Sequence, residues 1–335
     1  MSLPRVLIIY NEPVLPKDHP DAAQEHDVIE ATGWIALMLE EAGYPLRQLG
    51  FSYDPRALLD ELRDHPPDVV FNMFEGLATQ TATEVSVVGI LEWLRIPFTG
   101  SPSHALSLGR DKVRTKFLLQ GAGVPTPAFA VIDSGDAIPR WVHGWPAIVK
   151  PALQDCSVGI EQGSVVTNHG DLEKRIAHIV ERYGYPVLVE QFIFGREFHA
   201  NVVEIDGEMI CIPLAELRFE RKPEQNLWPI FSYDAKWNME TEEFLTSPYD
   251  TVVKLNPDTQ AAVDDVVKRA YRLVGLRDVG RIDLRLSPEE QPMILEVNPN
   301  PYLHGEALID GLKALDREHE SLFVSMVQAA WKRAK

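Results

Sequence analysis

The segment Gly280-Arg-Ile-Asp-Leu-Arg-Leu-Ser-Pro-Glu-Glu-Gln-Pro-Met-Ile-Leu-Glu-Val-Asn298 constrains the fold more than any other stretch of the chain. Ile282, Leu284 and Leu286 alternate with Arg281, Asp283 and Arg285, while Met293, Leu295 and Val297 alternate with Ile294, Glu296 and Asn298. Period-two patterns on both sides of a Ser-Pro-Glu-Glu-Gln-Pro turn predict an antiparallel hairpin. A turn symmetric about the Glu289–Glu290 bond sets Asp283 opposite Glu296 and Arg281 opposite Asn298. The four polar side chains then share one face, with opposed Cβ atoms about 5 Å apart. Two carboxylates and an amide oxygen held that close repel each other unless a cation lies between them. Hard oxygen donors of this kind suit Mg²⁺, which shares phosphate oxygens with a nucleotide. The plainer alternative is an exposed hairpin face with solvated charges, Arg281 neutralising a neighbour.

The first hundred residues alternate buried-strand and helix patterns. Strands are expected over Arg5–Tyr10 and Asp68–Phe74, and helices over Val28–Gly43, Pro55–His65 and Glu84–Arg95. Such alternation predicts an open, mainly parallel α/β sheet. Asn11-Glu-Pro-Val stands after the first strand instead of Gly-x-Gly-x-x-Gly, so a dinucleotide site of the Rossmann kind is not supported. The pattern changes near Gly100-Ser-Pro-Ser103. A helix (Asp111–Gly121), strands (Phe129–Ile132, Ala147–Lys150) and a helix (Asp171–Tyr183) follow. From Pro186 the chain is strand-rich: Val187–Phe192, Glu197–Ile205 and Met209–Ala215, with Asp206-Gly207 as a hairpin turn. Residues 220–256 carry little periodicity and read as a mobile binding loop. Asn256 then caps a helix that begins at Pro257. Three units are expected, over 1–102, 103–186 and 187–335.

Composition narrows the function. Fifty acidic residues against 32 basic ones give a net charge of −18, which repels phosphate backbones and anionic bilayers. Nucleic acid and membrane are therefore not expected partners, although a local basic pocket still accommodates a small anion. No charged and apolar leader is seen, and the apolar runs fall short of the roughly 20 residues of a membrane span. Two cysteines, Cys156 and Cys211, lack metal-like spacing, so a reducing cytoplasm is the expected compartment.

Three groups outside the hairpin bear on phosphate binding. Lys150 ends a strand just before Ser157-Val-Gly159, whose backbone N–H groups could wrap a phosphate, and Lys112 opens a helix. Glu190 and Glu197 bracket Gln191-Phe-Ile-Phe194. Taken singly, each lysine reads equally as a surface charge and the last run as a sheet edge.

Taken together, these residues resemble the ATP-grasp superfamily, in its D-alanine–D-alanine ligase branch. The resemblance runs in order through Pro97-Phe-Thr-Gly-Ser101, Gly109-Arg-Asp-Lys112, Ala147-Ile-Val-Lys-Pro151, Ser157-Val-Gly159 and Val187-Leu-Val-Glu190. It continues through Gly195-Arg-Glu-Phe198, Tyr233-Asp-Ala-Lys236, Gly280-Arg-Ile-Asp283 and Leu295-Glu-Val-Asn298. It implies a three-part α/β fold: a Rossmann-like open sheet, a small central lid unit and a C-terminal mixed or antiparallel sheet. It further implies an enzyme, an ATP-dependent carboxylate–amine ligase working through an acyl phosphate. Adenine would lie against Glu190, Gln191 and Ile193, and Glu197 would take the ribose. Lys112, Lys150 and the Ser157–Gly159 loop would hold the phosphates, with Lys236 approaching the γ-phosphate. Asp283, Glu296 and Asn298 would hold two Mg²⁺ ions, for which Mn²⁺ can substitute, and Arg281 would stabilise the phosphorylated carboxylate. The implied partners are small amino acids or peptides, and a homodimer is compatible with the pattern.

The departures fall on the amino-acid half. Phe71-Asn-Met-Phe-Glu-Gly76 stands where the ligases have a His-Gly stretch after the third strand. The positions that close the first amino-acid site resemble the Glu25-His26-Asp27 region, Cys156 and Trp237. The turn after Asn298 reads Asn300-Pro301-Tyr302, and Ala307 stands near the serine that receives the acceptor carboxylate. Arg218, Arg221 or Lys222 could anchor a different acid. A ligase with altered amino-acid specificity is therefore expected. A genuine D-alanine–D-alanine ligase and a nucleotide-binding protein without turnover remain the alternatives.

Overall fold

The computed structural model describes residues 2–16, 19, 22–138, 140–154 and 157–334, apart from the side chains of residues 22–25 and 223. The N-terminal region comprises β1 (Val6–Asn11), α1 (Ala22–Glu41), β2 (Leu46–Phe51), α2 (Arg56–Asp64), β3 (Val69–Met73) and α3 (Thr83–Trp93). Its three strands are parallel in the order β2-β1-β3. Successive residues of β1 serve different cores: Val6 and Ile8 pack with Ile35, Leu39 and Phe71, while Leu7 and Ile9 pack with Leu58, Val87 and Leu91. That is why the strand reads as an unbroken apolar run. The chain passes from β1 to β2 on one side and then crosses to β3 on the other, so a crevice opens at the C-terminal ends of the strands. There Asn11 Oδ1 accepts the Glu75 backbone N–H at 3.0 Å.

Next come α4 (Ser103–Arg110), α5 (Lys112–Gly121), β4 (Phe129–Ile132), β5 (Ala147–Pro151), β6 (Val165–Val166), α6 (His169–Tyr183) and β7 (Val187–Gln191). The four strands form an antiparallel sheet in the order β4-β7-β5-β6. A boundary at 186/187 therefore cuts β7 from its own sheet. Ala105, Leu119 and Val124 of the α4–α5 region pack into the core of the last sheet, another departure from the expected division.

The remaining elements are β8 (Glu197–Ile205), β9 (Glu208–Cys211), β10 (Leu214–Leu217), α7 (Tyr233–Trp237), α8 (Glu242–Leu245), β11 (Tyr249–Val253), α9 (Pro257–Val274), β12 (Val279–Leu286), β13 (Pro292–Asn298), α10 (Glu306–Lys313) and α11 (His319–Arg333). Their antiparallel sheet runs β11-β10-β8-β12-β13, with β9 also on β8. Asp206 and Gly207 both take positive φ in the β8–β9 turn, and Asn256 Oδ1 caps α9 at the Thr259 N–H. Met209–Ala215, expected as one strand, is broken into β9 and β10. The 220–256 segment, expected to lack regular structure, holds α7, α8 and β11, the helices capped by Ser232 and Thr241. The last helix returns to the first region: Phe323, Val327 and Ala330 of α11 complete the core around Ile8 and Phe71. Arg333 then clasps Asp278 at 2.7 Å and the Phe98 carbonyl at 2.9 Å. Among the described residues, no helix is long and apolar enough to cross a membrane.

Candidate active site

A cleft of about 890 Å³ is lined by residues of all three sheets. Its floor is the polar face of β8, β12 and β13. Arg281 lies across from Asn298 and Asn201, Asp283 across from Glu296 and His199, and Arg285 across from Glu197. The symmetric turn thus predicts the pairing at the acidic row. Closer to the turn, however, Leu284 pairs with Ile294 and Arg285 with Met293. Leu295 is the extra residue of a β-bulge. The bulge lets Leu295 and Glu296 both line the cleft, while Ile294 and Val297 enter the core. Strict alternation through Met293, Leu295 and Val297 therefore fails, because those three do not share a face.

The charges are matched across the cleft. Arg281 donates to both Asp283 oxygens at 2.7 and 3.0 Å, and the Asn298 amide donates to Asp283 Oδ2 at 3.2 Å. Burial alone would raise the Asp283 carboxyl, but Arg281, with His199 and Lys236, overrides it and holds the group at about 2. Lys112 pairs with Glu296 at 2.6 Å and donates to the Gln154 carbonyl at 2.7 Å. Lys116 and Lys150 both pair with the buried Glu190, and these two cations outweigh desolvation to keep its carboxyl low. Arg285 donates twice to Glu197 Oε2, at 2.8 and 2.6 Å, and once to the Ile193 carbonyl at 2.8 Å. Burial, against the pull of Asp283, pushes the His199 imidazole down to about 4.

The roof is the loop after β5. Ser157 adopts φ 63° and donates its hydroxyl to the Phe231 carbonyl at 3.0 Å. Gly159 has φ 76°, and a Cβ there would meet Pro151 at 2.8 Å, so this turn requires glycine. Gly195, at φ 142°, passes so close to β12 that a Cβ would fall 1.8 Å from the Leu286 carbonyl oxygen. The segment below the roof carries Lys236, whose ammonium lies 4.9 Å from the Trp237 ring.

Residues 118–307 match the family model described as the D-ala D-ala ligase C-terminus. A D-alanine–D-alanine ligase of Desulforudis audaxviator is 34% identical over 89% of this chain and 92% of its own. One from Hydrogenovibrio crunogenus is 30% identical over 76% of each. The chain belongs to the D-alanine–D-alanine ligase family. The crystal structure of the Bacillus anthracis D-alanine–D-alanine ligase complexed with ATP superposes with a TM-score of 0.75 at 18% identity, covering 99% of this chain and 98% of that one. The fold is ATP-grasp, and the enzyme is an ATP-dependent ligase that forms C–N bonds.

In this ligase the nucleotide-side residues expected from sequence come together: Lys112, Lys150, Ser157, Glu190, Gln191, Ile193, Glu197, Lys236, Arg281, Asp283, Glu296 and Asn298 all line one cleft. Gly159 shapes its roof. Among the described residues no three His, Cys, Asp or Glu side chains could hold a metal ion unaided. Two carboxylates and an amide oxygen in adjacent rows fit Mg²⁺ that arrives with phosphate oxygens to complete its shell.

The amino-acid side is read less fully. Trp237 and Tyr302 line the cleft, and so does Asp27. Its neighbour His26 is exposed outside the cleft lining, and Cys156 and the Glu25 side chain lie outside the described residues. Ala307 is buried in α10 away from the lining. Arg218 pairs with Asp250 at 3.1 Å and Arg221 donates to the Glu243 carbonyl at 3.0 Å, so neither these nor Lys222 reach the cleft. Arg110 does line it, paired with Glu84 at 2.9 Å. Sequence reasoning also passed over Lys116, Arg285, His199 and Glu75. Lys116 follows Lys112 by one helical turn, and Arg285 and His199 continue the period-two faces of Asp283 and Glu197, so three of the four had a signal. Desolvation, reinforced by Glu84 and Asp27, pushes the Glu75 carboxyl up to about 7, although water reaches it through the open cleft.

Proposed function

We propose that this ligase joins an amino acid or peptide carboxylate to an amine through an acyl phosphate, with substrates other than two D-alanines. In the first step a carboxylate oxygen attacks the γ-phosphorus and ADP leaves. In the second the uncharged amine nitrogen attacks the acyl carbon, the C–N bond forms, the bond from carbon to the phosphate oxygen breaks, and phosphate departs as the nitrogen gives a proton to solvent. Glu190, Gln191 and the Ile193 backbone hold adenine, and the Oε1 that Arg285 leaves open on Glu197 takes a ribose hydroxyl. Lys112, Lys150, Lys236 and the Ser157–Gly159 backbone hold the phosphates, each lysine exchanging a carboxylate partner or a ring contact for phosphate. Asp283, Glu296 and Asn298 hold Mg²⁺, which when bound neutralises charge on the β- and γ-phosphates. Arg281 turns from Asp283 toward the acyl phosphate. Positioning and charge stabilisation supply the acceleration.

The observation that carries the substrate part is the acidic amino-acid end. Asp27 and Glu75 line it, while of the two nearby cations Arg110 is already held by Glu84 and Lys236 acts on Glu75. Burial, and then the charges of Asp27, Glu30 and Glu75, push the Tyr302 phenol up. Such a wall favours an ammonium group and offers little to a free acceptor carboxylate, which needs charge-assisted donors. The test is phosphate release from Mg²⁺–ATP against a panel of L- and D-amino acids, dipeptides and hydroxy acids. D-Alanine is expected to support release far more weakly than another amino acid or peptide. Efficient formation of D-alanyl-D-alanine would return the enzyme to the substrates named for its relatives, and release that no amino acid stimulates would remove the ligase reading.

A further inference from the structure

Three adjacent strands set His199, Asp283 and Glu296 in one row on the cleft face. The His199 side chain is 13% exposed and lines the cleft. Its Nδ1 is fixed 3.0 Å from the Tyr249 hydroxyl, which sets the plane of the ring. Its Nε2 points to Asp283, 3.8 Å from Oδ1, too far for a hydrogen bond. Two donors each about 2.1 Å from a single ion stand between about 3.0 Å apart, at right angles, and about 4.2 Å apart, across it. The separation of Nε2 and Oδ1 falls inside that range.

We infer that His199 contributes a nitrogen donor to the divalent-cation position of Asp283 and so biases this site from Mg²⁺ toward Mn²⁺ and other first-row transition ions. The inference rests on the proposed nucleotide–metal reading of the cleft. An ion entering there displaces the Arg281 Nε from Asp283 Oδ1 and finds the imidazole already oriented by Tyr249. Imidazole adds affinity for transition ions, whereas Mg²⁺ takes oxygen donors. A ring oriented by a hydrogen bond at its other nitrogen is a common arrangement for such ligands.

The experiment uses the full chain with Mn²⁺ and a non-hydrolysable ATP analogue, read by pulsed electron paramagnetic resonance. A ¹⁴N coupling to bound Mn²⁺ is expected, converting to a ¹⁵N coupling when the protein is labelled with ¹⁵N-histidine. The labelled wild-type protein needs no substitution, so the result does not depend on how a variant folds. His199→Thr should abolish the coupling and lower the ratio of Mn²⁺ to Mg²⁺ affinity about tenfold or more. Mn²⁺ bound with the analogue but showing no histidine nitrogen would overturn the role of His199 and leave the nucleotide site standing. No Mn²⁺ bound even with the analogue would overturn the metal reading itself, and this inference with it.

Discussion

The two ends of the cleft are built on opposite electrostatic plans. At the nucleotide end, Lys112, Lys116, Lys150, Arg281 and Arg285 each meet a carboxylate, and every one of those carboxylates lies on a strand. At the amino-acid end Asp27 and Glu75 face the cleft from a helix and a loop, and among the described residues the Glu75 carboxylate makes no hydrogen bond or ion pair. On the proposed reading, the first plan keeps Lys112 and Lys150 ordered until phosphate replaces their partners, while Lys116 and Arg285 keep theirs. The second leaves a charge for the substrate itself to neutralise. The difference, on that reading, teaches that nucleotide chemistry is preset in paired charges on strands, while specificity rests on a few groups at the edge of the first sheet.

The sharpest way to break the comparison is Glu296→Gln. Turnover should fall at least about 10³-fold with the fold intact, because the cation loses a charged ligand while a neutral isostere keeps the packing. Near-normal turnover, with an unchanged circular dichroism spectrum, would remove the site. Lys116→Met tests whether the paired end is interdependent. Glu190 would keep Lys150 alone in a buried position, and urea unfolding should show a loss of about 3–5 kcal/mol. A loss below about 1 kcal/mol would mean that Lys116 is not the main counter-charge.

His319 lies behind the other end. Its Nε2 donates to the Leu303 carbonyl at 2.9 Å, just past Tyr302, and burial pushes the imidazole down to about 4. A histidine whose folded value lies below its unfolded one binds fewer protons when folded. Stability should therefore be full above about pH 6.5 and fall as the pH drops toward 4, by up to about 3 kcal/mol. His319→Gln, which keeps an N–H donor, should reduce the fall in urea midpoints between pH 7 and pH 5, the remainder coming from His199, whose imidazole is also pushed down by burial. The smallest effect concerns Glu75. Protonation removes its charge, so KM for the best amino substrate of the panel should rise as the pH is lowered from 8 through its raised value. In Glu75→Gln that dependence should vanish; if it persists, another group carries it.

Much of this was legible because period two is a geometric statement. Residues 281, 283 and 285 had to share a face, and Asp283 had to meet Glu296 wherever the turn was symmetric. The bulge at Leu295 was not legible: an extra residue leaves no mark in a sequence of Ile, Leu, Glu and Val, and packing of Ile294 and Val297 decides it. β2 was missed because Leu46-Arg-Gln-Leu-Gly-Phe51 is an edge strand with no alternation. α7 and α8 were missed because four- and five-residue helices carry no periodicity, and their cap serine and threonine resemble any loop residue. β7 was assigned to the wrong unit because strand partners are set across space. Glu75 had no pattern at all; its character comes first from desolvation in the cleft and then from Glu84 and Asp27 brought in by other elements.

The return of α11 onto the first sheet gives the chain a particular order of assembly. The face of β1 and β3 that carries Ile8 and Phe71 is closed in part by Phe323, Val327 and Ala330 of α11, which follow every other element of the fold in the chain. Until those residues emerge, an early-made sheet must wait with an apolar side uncovered, offering a natural landing place for a chaperone. The crevice at Asn11 and Glu75 sits at the end of that same sheet, so it matures only after α11 has been made.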